Sequence, residues 1–363
     1  MGMSNYHSKY AKRSNRTKSK FRRIIMVFLT LLVIVSLVIA YMLYQVIFKS
    51  NVWTPDGKDI EIFIPTGSDY EGVKKILYER GLIIHRRNFE WLAKEKKYPQ
   101  LIKPGKYTIS HGLSNDQLIN LLRSGNQTPV NLTFNNVRDI YQLSGRIARQ
   151  IEADSTSIAA LLHDSLYIAM LGFNHFTIPS LFIPNTYEFF WTTNADGFVS
   201  RMLQEYRNFW HDERKKKADE IGLSAIEVST LASIIDKETN MDSEKATMAG
   251  VYINRLKSGW RLQADPTLVF AAGDFNLRRV LDVHKTIDSP YNTYKFEGLP
   301  PGPISIPSIS SIDAVLNFEK HQYYFFCAKD DFSGYHVFAR SNMEHEFNAR
   351  KYRLALDRMN IRK

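Results

Sequence analysis

"SAIEVSTLASIIDKET", residues 224–239, is the stretch on which the reading of this chain turns. Ser224 and Glu227 have the S-x-x-E spacing of a capping box, and Leu223 and Val228 stand where a hydrophobic staple would pack. A helix is therefore expected to start near Ala225. At about 100° per residue, Val228, Leu231, Ala232, Ile234 and Ile235 share one face. Glu238 follows Ile235 by three residues, Ile234 by four and Leu231 by seven, so it continues the apolar stripe. Asp236 lies about a third of a turn from the stripe centre, and Lys237 nearly opposite. Glu238 is thus the acid aimed at an interior or a cleft, with Asp236 on its flank. A carboxyl in that position loses solvation, which disfavours the charged form and raises its pKa, as a general acid requires. A frayed last turn with Glu238 in water is the competing reading, and spacing alone leaves both open.

The surrounding chain narrows the choice. It has 363 residues and a formal charge of +11. Residues 1–23 hold eight of those charges (Lys9, Lys12, Arg13, Arg16, Lys18, Lys20, Arg22 and Arg23) and no acid, leaving +3 for the remaining 340 residues. The basic balance belongs mostly to an arm, which alone would suit a disordered segment touching nucleic acid or anionic lipid. "IIMVFLTLLVIVSLVIAYMLYQVIF" (24–48) then runs without a charge. As a helix it reaches roughly 37 Å, enough to cross a hydrocarbon core of about 30 Å. Tyr41 and Tyr44 suit an interfacial belt, and the preceding cations put the N-terminus in the cytoplasm and the rest outside. No small-residue cleavage site follows, so the segment reads as a span and not a signal peptide. Cys327 is the single cysteine, which excludes an intrachain disulfide and a C-x-x-C metal knuckle.

The exported part reads as α+β: a small module over 58–135, then a larger mixed α+β domain over 136–363. "IEIFIP" (60–65), "KPGKYTI" (103–109) and "PVNLTF" (129–134) read as strands. "SDYEGVKKILYERG" (68–81), "RRNFEWLAKEKK" and the Ser114/Gln117-capped "NDQLINLLRSG" read as helices. Helices dominate 136–220, including one long amphipathic segment from Ala195 to Gly222. "KKK" at 215–217 reads as a solvated face. "NTYEFFWTT" (185–193) is core or a sugar-stacking rim.

Further polar motifs follow the opening helix. In "NRLKSGWRLQADPTLVFAAG" (254–273), Asp265 reads as an N-cap with Pro266 at the first helical position. Asn254, Gln263 and Thr267 add groups that could bond sugar hydroxyls. "SPYNTYKFEGLPPGPISIPS" (289–308) is a stiff loop, its glycines supplying turns, in which Tyr291, Asn292 and Tyr294 alternate ring and amide. "YYFFCAKDDFSGYHVFARSNMEHEF" (323–347) reads as a buried strand, a hairpin, a second strand and a helix. His336, Glu344 and His345 there match no standard metal-ligand spacing, so hydrogen bonding is expected and no metal.

Together, "LASIIDKET", "AGVYINRLKSGWRLQADPTLVFAAG", "SPYNTYKFEGLPPGPISIPS" and the H-x-F…EH ending at His345 resemble the YceG-like family of endolytic murein transglycosylases. The resemblance is strong over 224–350. It is weaker over the span and over 58–135, which is similar to the LysM-like module of that family. It implies a membrane-anchored lytic transglycosylase that cuts the β-1,4 bond between N-acetylmuramic acid and N-acetylglucosamine. Such a cut leaves 1,6-anhydromuramyl ends without a cofactor. The glutamate of the "KET" element, Glu238, is implied as catalytic. Asn254, Gln263, Asp265, Thr267, Tyr291, Asn292, Tyr294, His336, Glu344 and His345 are candidate substrate contacts. Expected partners are glycan strands, the cytoplasmic membrane and peptidoglycan synthases of the penicillin-binding type, with no nucleic acid. Asp236 stands where relatives commonly carry Glu, which suits a flanking role. Two departures from the family pattern lie in the proline-rich loop: Pro307-Ser308, where a Pro-Gly pair is frequent, and Ile306, where a polar residue is common. The alternatives are a hydrolytic muramidase using Asp236 or Asp265 as second carboxylate, and a non-catalytic peptidoglycan-binding scaffold of wall synthesis.

Overall fold

The computed structural model describes residues 7–277 and 279–359, with side chains from Lys20 onward. The chain divides into two compact units, Met1–Thr128 and Pro129–Lys363.

The first unit contains α1 (His7–Phe48), β1 (Ile60–Ile64), α2 (Tyr70–Glu79), α3 (Arg86–Glu95), β2 (Gly105–Ile109) and α4 (Asn115–Ser124). The backbone from His7 onward belongs to α1. Met1–Tyr6, and the side chains of Lys9, Lys12, Arg13, Arg16 and Lys18, lie outside what is described. Lys20–Phe48 is 29 residues of mean hydropathy 3.0 near its apolar centre, with its faces bare. It is one candidate membrane span. β1 and β2 pair antiparallel, Ile62 opposite Tyr107. Ile62, Ile64, Leu77, Phe89 and Leu118 form a dry core with them. Asp69 caps α2, and Ser114 with Gln117 forms the expected reciprocal box on α4.

The second unit begins with β3 (Val130–Phe134), α5 (Ile140–Ile147), α6 (Ser155–His163), α7 (Ser165–Met170), β4 (Asn185–Phe189), α8 (Ala195–Phe209) and α9 (Asp212–Ile221). It continues with α10 (Ala225–Glu238), α11 (Asp242–Lys257), α12 (Asp265–Ala272), α13 (Asp282–Lys285), α14 (Ile309–Leu316), β5 (Phe325–Ala328), β6 (His336–Ala339) and α15 (Asn342–Arg358). Two expectations change here and a third is resolved. β3 pairs with β4, Leu132 opposite Tyr187, so the strand expected to close the small module belongs to the second unit. The aromatic cluster, left open between core and rim, divides: Tyr187 and Phe189 pack with Phe134, Phe182 and Phe198, and Phe190 is exposed. The long helix breaks into α8 and α9 where Trp210 turns inward and is 1% exposed.

Helix α10 forms the centre of a second core, with Met248, Tyr252, Ile304 and Ile312 around it. Ser224 and Glu227 box its start as the spacing predicts. Its burial is not a stripe, however, since every residue from Val228 to Ile235 is buried. The polar members are satisfied locally. Ser229 Oγ donates to the Ala225 carbonyl, Thr230 Oγ1 to Ile226 and Ser233 Oγ to Thr230. Internal bonds of this kind let hydroxyls sit in a core without an orphaned donor. Ser233 Oγ also accepts the Ile304 N–H at 3.0 Å, pinning the proline-rich loop to α10. Gly302 in that loop does not supply a left-handed turn. A Cβ there would meet the Phe176 carbonyl oxygen at 2.0 Å, so close backbone approach requires glycine. Gly298, at φ +78°, is the turn residue.

Candidate active site

Glu238 is the last residue of α10, and its carboxyl is partly buried where two clefts meet. One cleft, of about 660 Å³, runs past Asp265, Phe270, Phe275 and Ile304. The other, of about 340 Å³, is lined by Arg255, Gln263, Asp265, Tyr294, Phe325 and His345. Glu238 and Asp265 belong to both linings, so a strand lying through the two clefts would pass these carboxyls.

Burial dominates the electrostatics of Glu238 and pushes its pKa up to about 7. The Tyr252 hydroxyl donates to Glu238 Oε1 at 2.7 Å and opposes that rise. The nearby Asp265 charge adds to it, and the Arg255 cation opposes it. The result suits an acid that must hold a proton near neutrality and still be able to lose it. Tyr252 is buried on α11, one turn before Arg255. Burial and the adjacent carboxylate push its phenol well above its ordinary range, so it donates its proton and does not titrate.

Arg255 is 8% exposed. Its Nε donates to the Tyr324 carbonyl at 2.7 Å and its guanidinium also to the Leu262 carbonyl at 2.5 Å. Backbone acceptors thus aim a buried cation into the smaller cleft. Neither Tyr252 nor Arg255 was distinguishable by sequence. Tyr252 fits an apolar helix position, and Arg255 resembles an ordinary solvated cation near a helix end.

Asp265 is not an N-cap. It occupies the first helical position of α12, and its carboxylate instead accepts from the Tyr294 hydroxyl at 2.5 Å. Gln263 adopts φ +47°, a left-handed conformation uncommon outside glycine, and its N–H donates to the Thr293 carbonyl. That turn separates Leu262, which enters the core, from Asp265 at the cleft. His345 reaches the smaller cleft from α15, stacked on Phe325 at 5.4 Å between ring centroids. Its burial lowers its pKa, keeping the ring neutral, and its Nδ1 has no partner among the described residues.

The other expected contacts lie elsewhere. Asn292 is fully buried and spends its amide on the loop. It donates to the Lys285 and Ile287 carbonyls and accepts from the N–H groups of Tyr294 and Lys295. Tyr291 packs on Phe270, centroids 4.5 Å apart, behind the cleft wall. Thr267 is buried against Ala264 and Thr293. Asn254 donates to the His321 and Tyr323 carbonyls, tying α11 to the approach of β5. His336 Nδ1 pairs with Glu244 at 2.7 Å, and Glu244 also accepts from Thr239 and the His336 N–H. Glu344 bonds the Arg340 N–H at the start of α15. None of these six lines either cleft around Glu238. They position the elements that do.

Asp236 also lies apart. Its Oδ1 accepts from Ser308 at 2.6 Å and Ser311 at 2.7 Å, with Lys245 Nζ at 3.5 Å, so it fastens the start of α14. The Ser308 bonded to Asp236 also caps α14.

The profile of the YceG-like family matches residues 62–351. The endolytic murein transglycosylase of Bacillus subtilis (strain 168) is 30% identical over 309 residues, covering 81% of this chain and 84% of that protein. The endolytic murein transglycosylase of Streptococcus pneumoniae (strain ATCC BAA-255 / R6) is 26% identical over 328 residues. That match covers 81% of this chain but only 58% of the longer relative. A crystal structure of a YceG-like protein from Listeria monocytogenes superposes with a TM-score of 0.54 at 26% identity, covering 80% of this chain and 98% of that one. With the profile spanning well over half of its length, this chain belongs to the YceG-like family.

Proposed function

We propose that this chain is an endolytic lytic transglycosylase of peptidoglycan, with Glu238 as its proton carrier. The observation that carries the reading is the Glu238 carboxyl, raised to about 7 and standing at the junction of two clefts. Protonated Glu238 gives its proton to the oxygen of the β-1,4 bond between N-acetylmuramic acid and N-acetylglucosamine. The bond from muramic C1 to that oxygen breaks, and C1 gains oxocarbenium character. The muramic C6 hydroxyl then attacks C1, and ionised Glu238 takes the hydroxyl proton. The ring closes as a 1,6-anhydro end, and no water is consumed. Tyr252 occupies Oε1, which leaves Oε2 to carry the travelling proton. Arg255 steadies the carboxylate in the second half of the reaction. Cuts of this kind within nascent strands would terminate or release them.

Hydrolysis is the second reading, favoured by one observation: Asp265 shares both clefts with Glu238 and could activate water as a second carboxylate. Asp236 is unsuited to that role because it lines neither cleft and is bonded to Ser308 and Ser311. Digestion in water enriched in heavy oxygen separates the two readings. A transglycosylase leaves the label out of every new end, and a muramidase puts one atom into each. A non-catalytic scaffold would cut nothing.

The same reading extends to the rest of the chain. We infer that Lys20–Phe48 anchors it in the cytoplasmic membrane, with the basic arm inside and the chain after the span outside, within reach of wall synthases. We also read the part of the first unit after residue 57 as a LysM-like module. Its support is a self-contained core around the β1–β2 pair.

A further inference from the structure

The larger cleft carries more positive charge than sugar hydroxyls call for. Arg138, Lys237 and Arg279 stand around it. Arg138 shares its charge with Asp139 at 2.8 Å and lies 4.3 Å over the Phe275 ring. Lys237 Nζ bonds the neutral side-chain amide of Asn136 at 3.0 Å. Arg279 is exposed and has no carboxylate partner among the described residues. The acids on this lining are Glu238 and Asp265, at the end shared with the smaller cleft. The smaller cleft has the opposite balance, with Arg255 set against Glu238, Asp265 and Glu346. Between the cations, the larger cleft is apolar, through Val269, Phe270, Phe275, Leu277 and Val280. Three cations around one concavity focus a field that attracts anions. A bare glycan of amide and hydroxyl groups offers little to that field. The acidic peptide joined to a muramyl lactyl group offers carboxylates for the cations and methyl groups for the apolar wall.

We infer that the larger cleft receives the peptide of a peptide-bearing muramyl residue, its carboxylates meeting Arg138, Lys237 and Arg279. This rests on the glycan-cleaving reading of Glu238 and adds a requirement for the peptide. The test is binding of glycan oligomers of one length, with acidic stem peptides or stripped of them by an amidase, to the full-length Glu238→Gln chain in detergent. Peptide-bearing oligomers should bind roughly tenfold tighter, a sum of several partly solvated ion pairs. The advantage should shrink as salt is raised. It should vanish in an Arg138→Gln/Lys237→Gln/Arg279→Gln variant. Arg279→Glu alone, at an exposed position with no hydrogen bond or ion pair among the described residues, should remove most of it and guards against misfolding of the triple variant. Equal binding of the two oligomers, or an advantage that survives Arg279→Glu, overturns the inference. Failure of the cleavage reading shows separately, as wild-type protein that cuts neither oligomer.

Discussion

Replacing Tyr252 with phenylalanine removes one hydroxyl and changes one bond that matters to the proposed chemistry, the 2.7 Å donation to Glu238 Oε1. A hydrogen bond to a charged acceptor contributes about 1.5–3 kcal/mol, against about 0.5–1.5 kcal/mol for a neutral one. Its loss therefore penalises the ionised form by about 1.4 kcal/mol more than the protonated form, which is close to one pH unit. The sign is fixed, because Tyr252 lowers the pKa of Glu238 and its removal raises it further above about 7. The assay is kcat/KM for formation of anhydro ends on uniform glycan strands, measured across pH. In the wild-type protein the rate should fall as pH rises through about 7, where Glu238 loses the proton it must donate. In Tyr252→Phe that limb should lie about one unit higher, with a lower plateau because the carboxylate is a less well stabilised leaving form. An unmoved limb, or one displaced to lower pH, would refute the assignment of the limb to Glu238 and the role given to Tyr252.

Stability should carry the same signature. Glu238 has a folded pKa of about 7, above its ordinary 4.5, so its contribution is fully present below pH 4.5 and is lost as pH rises through 7. Denaturant unfolding of Glu238→Gln should show the variant gaining on wild type across that window by about 3 kcal/mol, and a pH-independent difference would contradict the burial. Asp236→Ala should lower stability by about 2 kcal/mol by removing the acceptor that Ser308 and Ser311 share, read as a lower denaturation midpoint, whereas Lys245 keeps Asp242 and Ser310. Asn292→Ala strips the Lys285 carbonyl and the Tyr294 N–H of their side-chain partner, while the Ile287 carbonyl and the Lys295 N–H keep backbone bonds. It should cost about 3 kcal/mol and raise KM by loosening Tyr294 and Asp265, whereas an unchanged KM would mean the loop does not shape the cleft.

The parts of this site that could be read from sequence are those set by local spacing. The capping box at Ser224 fixed where α10 begins, and helical periodicity then separated Glu238 from Asp236 although the two acids are two residues apart. The burial of α10 goes beyond the apolar stripe. An apolar stripe predicts one buried face, but Ser229, Thr230 and Ser233 are buried as well, because each returns its hydroxyl to the helix backbone. Groups that converge from far along the chain were not legible. Tyr252 and Arg255 acquire their meaning only when α11 packs against α10 and places a phenol and a guanidinium beside Glu238. Polar residues in the 289–308 loop misled for the converse reason. Asn292 has the chemistry of a sugar contact, but the loop has no regular ladder, and its backbone groups recruit that amide. Asp265 had two assignments open to it, a cap or a site acid. The hydroxyl of Tyr294, 29 positions later, decides against the cap.

The central claim is that one carboxyl, Glu238, performs both proton transfers. The most direct test is the mass of the new strand ends made by the full-length protein, compared among wild type, Glu238→Gln and Asp236→Asn. Wild type should give 1,6-anhydro ends, a folded Glu238→Gln none, and Asp236→Asn should still form them. Anhydro ends persisting in Glu238→Gln, or lost equally in both variants, would contradict that claim.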